Sequence, residues 1–247
     1  MMNDSAFGVA PNTRSLIAYA QGLGVSWGEA SLNESGYRKM VNNQIELFMD
    51  VGQVGPSYQP GHAHADTFSY VLHYSGKPII VDPGVSTYEI GDTRNDERST
   101  LFHNTVSVDR NDSSEVWGGF RVGKRANVSI VEDETFNVVA HHDGFMSRMS
   151  VGVQRGWFFS DGYLTVEDIL SGANNYNIIS SLHFAPGINP NLQESSIYID
   201  GLRLDLEGCL KAEIKNYNFA QGFNRRVIAK KLEMKTQSRS KITFMPC

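Results

Sequence analysis

Cysteine is almost absent from this chain: Cys209 and Cys247 are the only two among 247 residues. Neither has a Cys-x-x-Cys partner, so no disulfide framework and no thiolate zinc site is implied. A basic excess is missing as well. Lys and Arg total 22 against 27 Asp and Glu, for a formal net charge of −5. A general nucleic-acid binder shows the opposite balance, and a polyanion would need a local basic cleft. No apolar run approaches the ~20 residues of a membrane span. The opening residues Met1 to Ser5 carry neither a basic stretch nor an apolar core, so no signal peptide is read there. Helical periodicity is scarce too. It occurs once, from Pro11 to Gly24, where Leu16, Ile17, Ala20 and Leu23 recur at helical spacing and two glycines end the pattern.

Aromatic residues are plentiful, with 13 Phe, 10 Tyr and 3 Trp, and they suit β-structure. After about residue 36 the chain reads as short strands and turns. Strands are expected at Gln44–Asp50, at Phe68–Tyr74 and Pro78–Asp82 around Ser75-Gly76, and at Thr105–Asp109. Further strands are expected at 126–132 and 135–141, Gly152–Phe159 and Tyr163–Leu170, Ile197–Ile199 and Leu202–Leu206, Arg226–Lys235 and Lys241–Phe244. Asp161-Gly162 and Asp200-Gly201 are strong short-hairpin signals. The expected fold is all-β, a large antiparallel β-sandwich preceded by one helix.

The chemistry concentrates in Gly61-His62-Ala63-His64-Ala65-Asp66, Val81-Asp82-Pro83-Gly84 and Phe102-His103-Asn104-Thr105. Imidazole and carboxylate together suit a divalent metal such as zinc. Imidazole is also the side chain best able to move a proton near neutral pH. If extended, His62, His64 and Asp66 share one polar face. A hairpin turning at Ser75-Gly76 sets Asp82 roughly opposite Ser69, at the same end as His64, and His103 enters at that level. Spacing alone leaves both chemistries open, since a histidine at a strand end is commonly a surface residue and Asp-Pro-Gly is commonly a turn.

These motifs, in this order, resemble the heparinase II/III-like domain of bacterial polysaccharide lyases. The resemblance rests on Gly61–Asp66, on Pro78–Gly84, on Arg98-Ser99-Thr100 running into His103-Asn104-Thr105, and on Val108 to Glu115. Weaker likeness continues through Asp168–Gly172 and Leu182–Gly187, so that it covers roughly 36–247 and is strongest at 60–116. It implies an antiparallel sandwich, or supersandwich, at 36–247, with residues 1–35 as the end of an α/α toroid that is otherwise absent. It implies β-elimination on uronate-containing polysaccharides, such as a glycosaminoglycan or alginate, in a bacterial periplasm or cell envelope. The partners implied are an acidic polysaccharide and the helical toroid, with neither nucleic acid nor a membrane span.

By motif, His64, Asp82 and His103 match the family's zinc ligands, and a structural metal is the expectation. Asp66 and Asn104 are candidates to orient the ligand imidazoles. His62 matches a histidine at the cleft between the two domains, and it is the candidate for acid–base work or carboxylate neutralisation. Tyr88 is a second catalytic candidate, or a tyrosine packed over a turn. Arg98 can bind a sugar carboxylate or sulfate bidentately, or pair with Asp96 or Glu97. Trp117 can stack on a sugar or seal the sandwich edge. Trp157, Phe158 and Phe159 read as core by alternation. His141-His142 reads as a solvated strand end, and His183 as a satisfied core or edge histidine. Two other functions fit the same residues: a carbohydrate-binding or structural sandwich in surface polysaccharide metabolism, and a metal-dependent hydrolase.

Overall fold

The computed structural model describes residues 2–6, 8–28 and 32–247. Helix α1, Thr13–Gly22, stands where helical periodicity predicts it, two residues shorter at each end. The Asn12 side chain caps it by accepting the Ser15 N–H at 2.9 Å. None of its residues is buried, and Leu16, Ile17, Tyr19 and Leu23 stand exposed.

From Tyr37 onward most of the chain is antiparallel sheet. Strands β1 (Tyr37–Asn42), β2 (Ile45–Asp50), β3 (Tyr70–Tyr74) and β4 (Lys77–Ile80) make a four-stranded sheet in that order. Two short helices come next, α2 (Asp92–Glu97) and, much later, α3 (Met146–Met149). Between and after them run β5 (Val106–Val108), β6 (Val116–Trp117), β7 (Arg121–Val122), β8 (Val128–Asp133), β9 (Asn137–Phe145), β10 (Val151–Ser160), β11 (Tyr163–Ser171) and β12 (Ile178–His183). The last four are β13 (Asn191–Gln193), β14 (Ser196–Ile199), β15 (Leu202–Gly222) and β16 (Arg225–Pro246). Strands β6 and β7 form a small hairpin of their own. The second large sheet runs β13-β14-β15-β16-β11-β10-β9-β8, and β12 joins β16 and carries β5 on its other side.

The two large sheets face each other across one apolar core, as a sandwich requires. Ile45, Leu47 and Met49 alternate inward from β2 and meet Trp157, Val166, Leu204, Leu232 and Phe244 from the second sheet. Each such side chain is worth about 1.5–3 kcal/mol when fully buried. Trp157 and Phe159 are buried while Phe158 is half-buried, as alternation predicts. Both Asp-Gly hairpins form. The Asp161-Gly162 and Asp200-Gly201 pairs all have positive φ, the geometry of the favoured two-residue turn.

Four sequence expectations need correction. The strand β1 carries no signal recognised from sequence, yet it pairs with β2 along its full length. The two basic segments near the C-terminus are one 22-residue strand, β16, bent rather than broken. Gly208 on β15 makes that bend, because a Cβ there would lie 2.3 Å from the Arg239 carbonyl oxygen, and the pairing register shifts beside it. His142 lies inside β9 and is fully buried, while only His141 keeps solvent access. In the β3–β4 hairpin the register near the turn matches expectation (His73 opposite Pro78). A bulge then shifts it to Leu72 opposite Ile80, so Asp82 is not set against Ser69.

Candidate functional site

The segment 61–66 is a loop and not an extended strand, so the expected alternating face does not form. Ala63 N–H closes a turn on the Pro60 carbonyl, and Ala65 N–H bonds the Arg98 carbonyl at 2.9 Å. Phe68, fully buried, takes φ +68° at the loop's end, a conformation that a bulky residue adopts only when its surroundings hold it there. The hold is visible. Arg155 on β10 is buried and donates to the Phe68 carbonyl at 3.0 Å and the Asn104 carbonyl at 2.8 Å. Its other nitrogens clasp Asp168 on β11 at 2.6 Å each. One guanidinium thus ties the 61–68 loop to the 99–105 segment. Asp168 keeps the Arg155 cation favoured despite full burial. The Glu97 carboxylate accepts the Ser86 N–H and hydroxyl and so fastens the turn after Asp82.

At the centre His64 and His103 face each other, with His64 Nδ1 3.3 Å from His103 Nε2. Asp82 holds the far side of His103 at 2.8 Å from Nδ1, and its other oxygen accepts the Gly84 N–H at 3.0 Å. Ligand atoms of His64, Asp66 and His103 all lie within 4.8 Å of one another, and all three residues are buried. Of the two aspartates, Asp66 is thus the one grouped with the imidazoles, while Asp82 orients His103. Asn104 does not orient either ligand candidate. Its amide donates to the Tyr70 and Val81 carbonyls, and its oxygen accepts from His183 N–H and faces His183 Nδ1 at 3.1 Å. His183 is buried, and among the described residues its Nε2 has no hydrogen-bond partner.

The electrostatics suit a cation. Burial, with Asp50 and Asp82 nearby, pushes the Asp66 carboxyl up to about 7. Burial likewise raises Asp50. Burial pulls His64 down to about 4, against the attraction of Asp4, so its ring is neutral at pH 7 and able to ligate. Burial would depress His103, but the Asp82 carboxylate outweighs it and raises the group. His64, Asp66 and His103, with the Asp82 carboxylate behind His103, are a donor set of the kind that zinc takes.

His62 and Tyr88 lie at the open edge of this centre. The His62 side chain is 62% exposed, and its ring packs edge-on to Tyr88 with centroids 6.0 Å apart. Burial and the nearby Asp4 carboxylate raise the Tyr88 phenol. Phe120 and Phe223 continue the aromatic wall beside Tyr88. Phe223 comes from the tip of the β15–β16 hairpin, whose Asn224 N–H bonds the Ser86 carbonyl. Trp117 is exposed on β6, within the small hairpin that flanks the wall.

Arg98 is not at this edge. It is fully buried, and its donors reach the carbonyls of Ala63, Trp117 and Arg121, so it neither pairs with Asp96 or Glu97 nor presents itself to a sugar. The arginine in the cleft is Arg94, which sequence reasoning missed. Only its place four residues before Arg98, in the short helix α2, could have hinted at it. A cavity of about 410 Å3 lined by Tyr37, Asp50, His62, His64 and Asp66 opens beside the centre. A larger one, about 590 Å3, lies elsewhere among Arg110, Lys211, Glu213, Lys215 and Glu233, whose charges pair with one another.

The chain is thus a large antiparallel sandwich that carries a buried His–Asp centre and, at its edge, an aromatic wall with an exposed histidine. Residues 25–238 match the family profile described as heparinase II/III-like, C-terminal. The chain belongs to that family. A sequence comparison with curated proteins found no match. Among solved structures it is similar to a heparinase III (TM-score 0.73, 16% identity), covering all of this chain and 44% of that one. It is similar also to a heparan sulfate lyase mutant from Pedobacter heparinus (TM-score 0.69, 16% identity), over 95% of this chain and 42% of that one. A heparinase III gene product gives TM-score 0.69 at 17% identity, over 95% and 39%. These likenesses establish the fold. The chain spans about two fifths of the length of those structures. Among the described residues no helix is long and apolar enough to cross a membrane.

Proposed function

We propose that this chain is the β-sandwich domain of a polysaccharide lyase. It contributes one wall of a cleft that cleaves uronate-containing polysaccharides by β-elimination, and the other wall comes from a helical toroid. The observation that carries the reading is the exposed His62 beside Tyr88, both linked through the Asp4 carboxylate to His64 of the buried His64–His103 centre. In β-elimination a base removes the C5 proton, the C–H electrons become the C4–C5 double bond, and the C4–oxygen bond breaks as an acid protonates the leaving oxygen. The uronate carboxylate must be neutralised for C5 to acidify. His62 has the exposure and the proton chemistry for the acid–base part. Tyr88, with its phenol held protonated by its surroundings, serves as a hydrogen donor toward the departing oxygen. Trp117 extends the cleft as a surface on which a sugar ring stacks.

Zinc fits between His64 and His103, with Asp66 and Asp82 as the two carboxylates able to complete the set. When bound there it supplies a dication that offsets the buried carboxylates and fastens the three loops to one another. The full burial of these side chains supports a structural role over contact with substrate. Metal analysis of D66N and D82N separates the two carboxylates, since the true ligand variant retains less zinc. The parent's place in a bacterial periplasm or envelope follows from the same reading. Joined to its helical domain, the protein should generate ultraviolet-absorbing unsaturated uronate from heparan sulfate or alginate. Binding without that product would instead favour a non-cleaving carbohydrate-binding domain.

A further inference from the structure

The N-terminal segment lies in the cleft. The Asn3 side-chain amide donates to Asp50 at 2.8 Å and Asp66 at 2.6 Å, and its Oδ1 accepts from the Tyr37 hydroxyl. The Ser5 carbonyl accepts the Val85 N–H. Between these anchors the Asp4 carboxylate is enclosed, with its side chain 4% exposed. One oxygen meets Arg94 at 2.7 Å and His64 Nε2 at 3.2 Å. The other meets His62 Nδ1 at 2.5 Å and the Tyr88 hydroxyl at 3.1 Å. Two contacts on each oxygen use the full acceptor capacity of a carboxylate.

Contacts other than Asp4 also fix the receptor. Arg94 is fully buried, donates to the Gly119 and Gly61 carbonyls, and lies 4.9 Å over the Tyr88 ring and 5.6 Å over Phe120. Among the described residues Asp4 is its only ion-pair partner. A buried guanidinium left without an anion is strongly unfavourable, so Arg94 favours a carboxylate at the position that Asp4 occupies. Three of the four groups holding Asp4 come from the cleft wall: Arg94, His62 and Tyr88.

We propose that Arg94, His62 and Tyr88 form a carboxylate receptor, and that Asp4 fills it as an internal stand-in for the carboxylate of an acidic sugar. The segment around Asp4 is then self-blocking, and ligand must displace it. This inference rests on the reading of the cleft as an acidic-sugar site and adds to it the anchoring residue Arg94 and the internal competitor. Burial would raise the Asp4 carboxyl, yet the hydrogen bonds from His64, Arg94 and His62 hold it well below the usual carboxylate range, as a tightly bound anion requires.

The test is an NMR titration of the full chain with sodium D-glucuronate, with uncharged D-glucose as the control. D4A should bind glucuronate at least tenfold more tightly than the unmodified chain, with no gain for glucose. D4N, which keeps the volume and the fold but loses the charge, should lie between them. In the D4A background, H62A and the charge-removing R94M should each abolish most of the gain. Equal glucuronate affinity in D4A, D4N and the unmodified chain would overturn the proposal, as would an equal gain for glucose. Either result would leave Asp4 as no more than a fixed partner of His64. The readout is binding, so absence of elimination product would defeat the lyase reading while leaving this result standing. Elimination without the D4A gain would do the reverse.

Discussion

His62 and His64 stand two positions apart and experience opposite surroundings. His62 is mostly exposed, whereas His64 is buried against His103 and loses its proton tendency to burial. Replacing His62 with Ala should therefore leave the melting temperature nearly unchanged while lowering elimination by about 10²-fold or more, the usual scale for an acid–base group. A comparable loss of stability in a thermal scan would place His62 in the framework instead. His142 offers a separate test of burial. Its ring packs 4.9 Å from Phe68, its Nδ1 accepts the Gly144 N–H, and burial pulls it down to about 3. An unfolded histidine takes a proton near pH 6.5, and the folded chain does not. Stability contributed by the neutral ring is complete above about 6.5 and is lost as the pH falls toward 3. The slope is about 1.4 kcal/mol per pH unit for one proton. Urea midpoints measured from pH 7 to 4 should fall less steeply in H142F than in the unmodified chain.

At the scale of elements, two strands of the second sheet position loops that belong to neither. Arg155 on β10 and Asp168 on β11 form a buried pair whose remaining donors hold Phe68 and Asn104 in place. Truncating Arg155 to Ala strands a buried Asp168 carboxylate and should cost about 3–5 kcal/mol. The double variant R155M/D168L removes both charges and should recover most of that loss, as read by denaturant unfolding. Neither member of this pair was legible as part of the site, because they lie over 50 positions from the histidines and look like ordinary strand charges. The hairpins were legible where Asp-Gly turns announce them. The long β15–β16 hairpin was not, since its polar stretch Thr236 to Ser240 resembles a turn. Thr236 and Ser240 are in fact buried as the strand passes under its neighbours. The His–Asp motifs mark loops that do meet in the fold, but which carboxylate faces which imidazole depends on loop geometry that spacing does not encode. Arg94 and Asp4 escaped notice for the same reason: their meeting spans 90 residues.

Across the whole molecule, three loops from different elements converge on one polar centre inside an otherwise apolar sandwich. Such a centre is costly unless its charges are balanced. Zinc added to metal-free protein should raise its stability by about 2.7 kcal/mol at a hundredfold excess over the dissociation constant. H64A and H103A should lose that increment, which differential scanning of each protein with and without zinc will read. The most direct measurement is the ultraviolet absorbance of unsaturated uronate, followed while the natural full-length protein acts on heparan sulfate and on alginate. A rise with at least one uronate polymer, lost in H62A, is the predicted result. No rise with any uronate polymer, or a rate unchanged by H62A, would contradict the assignment of this cleft to β-elimination.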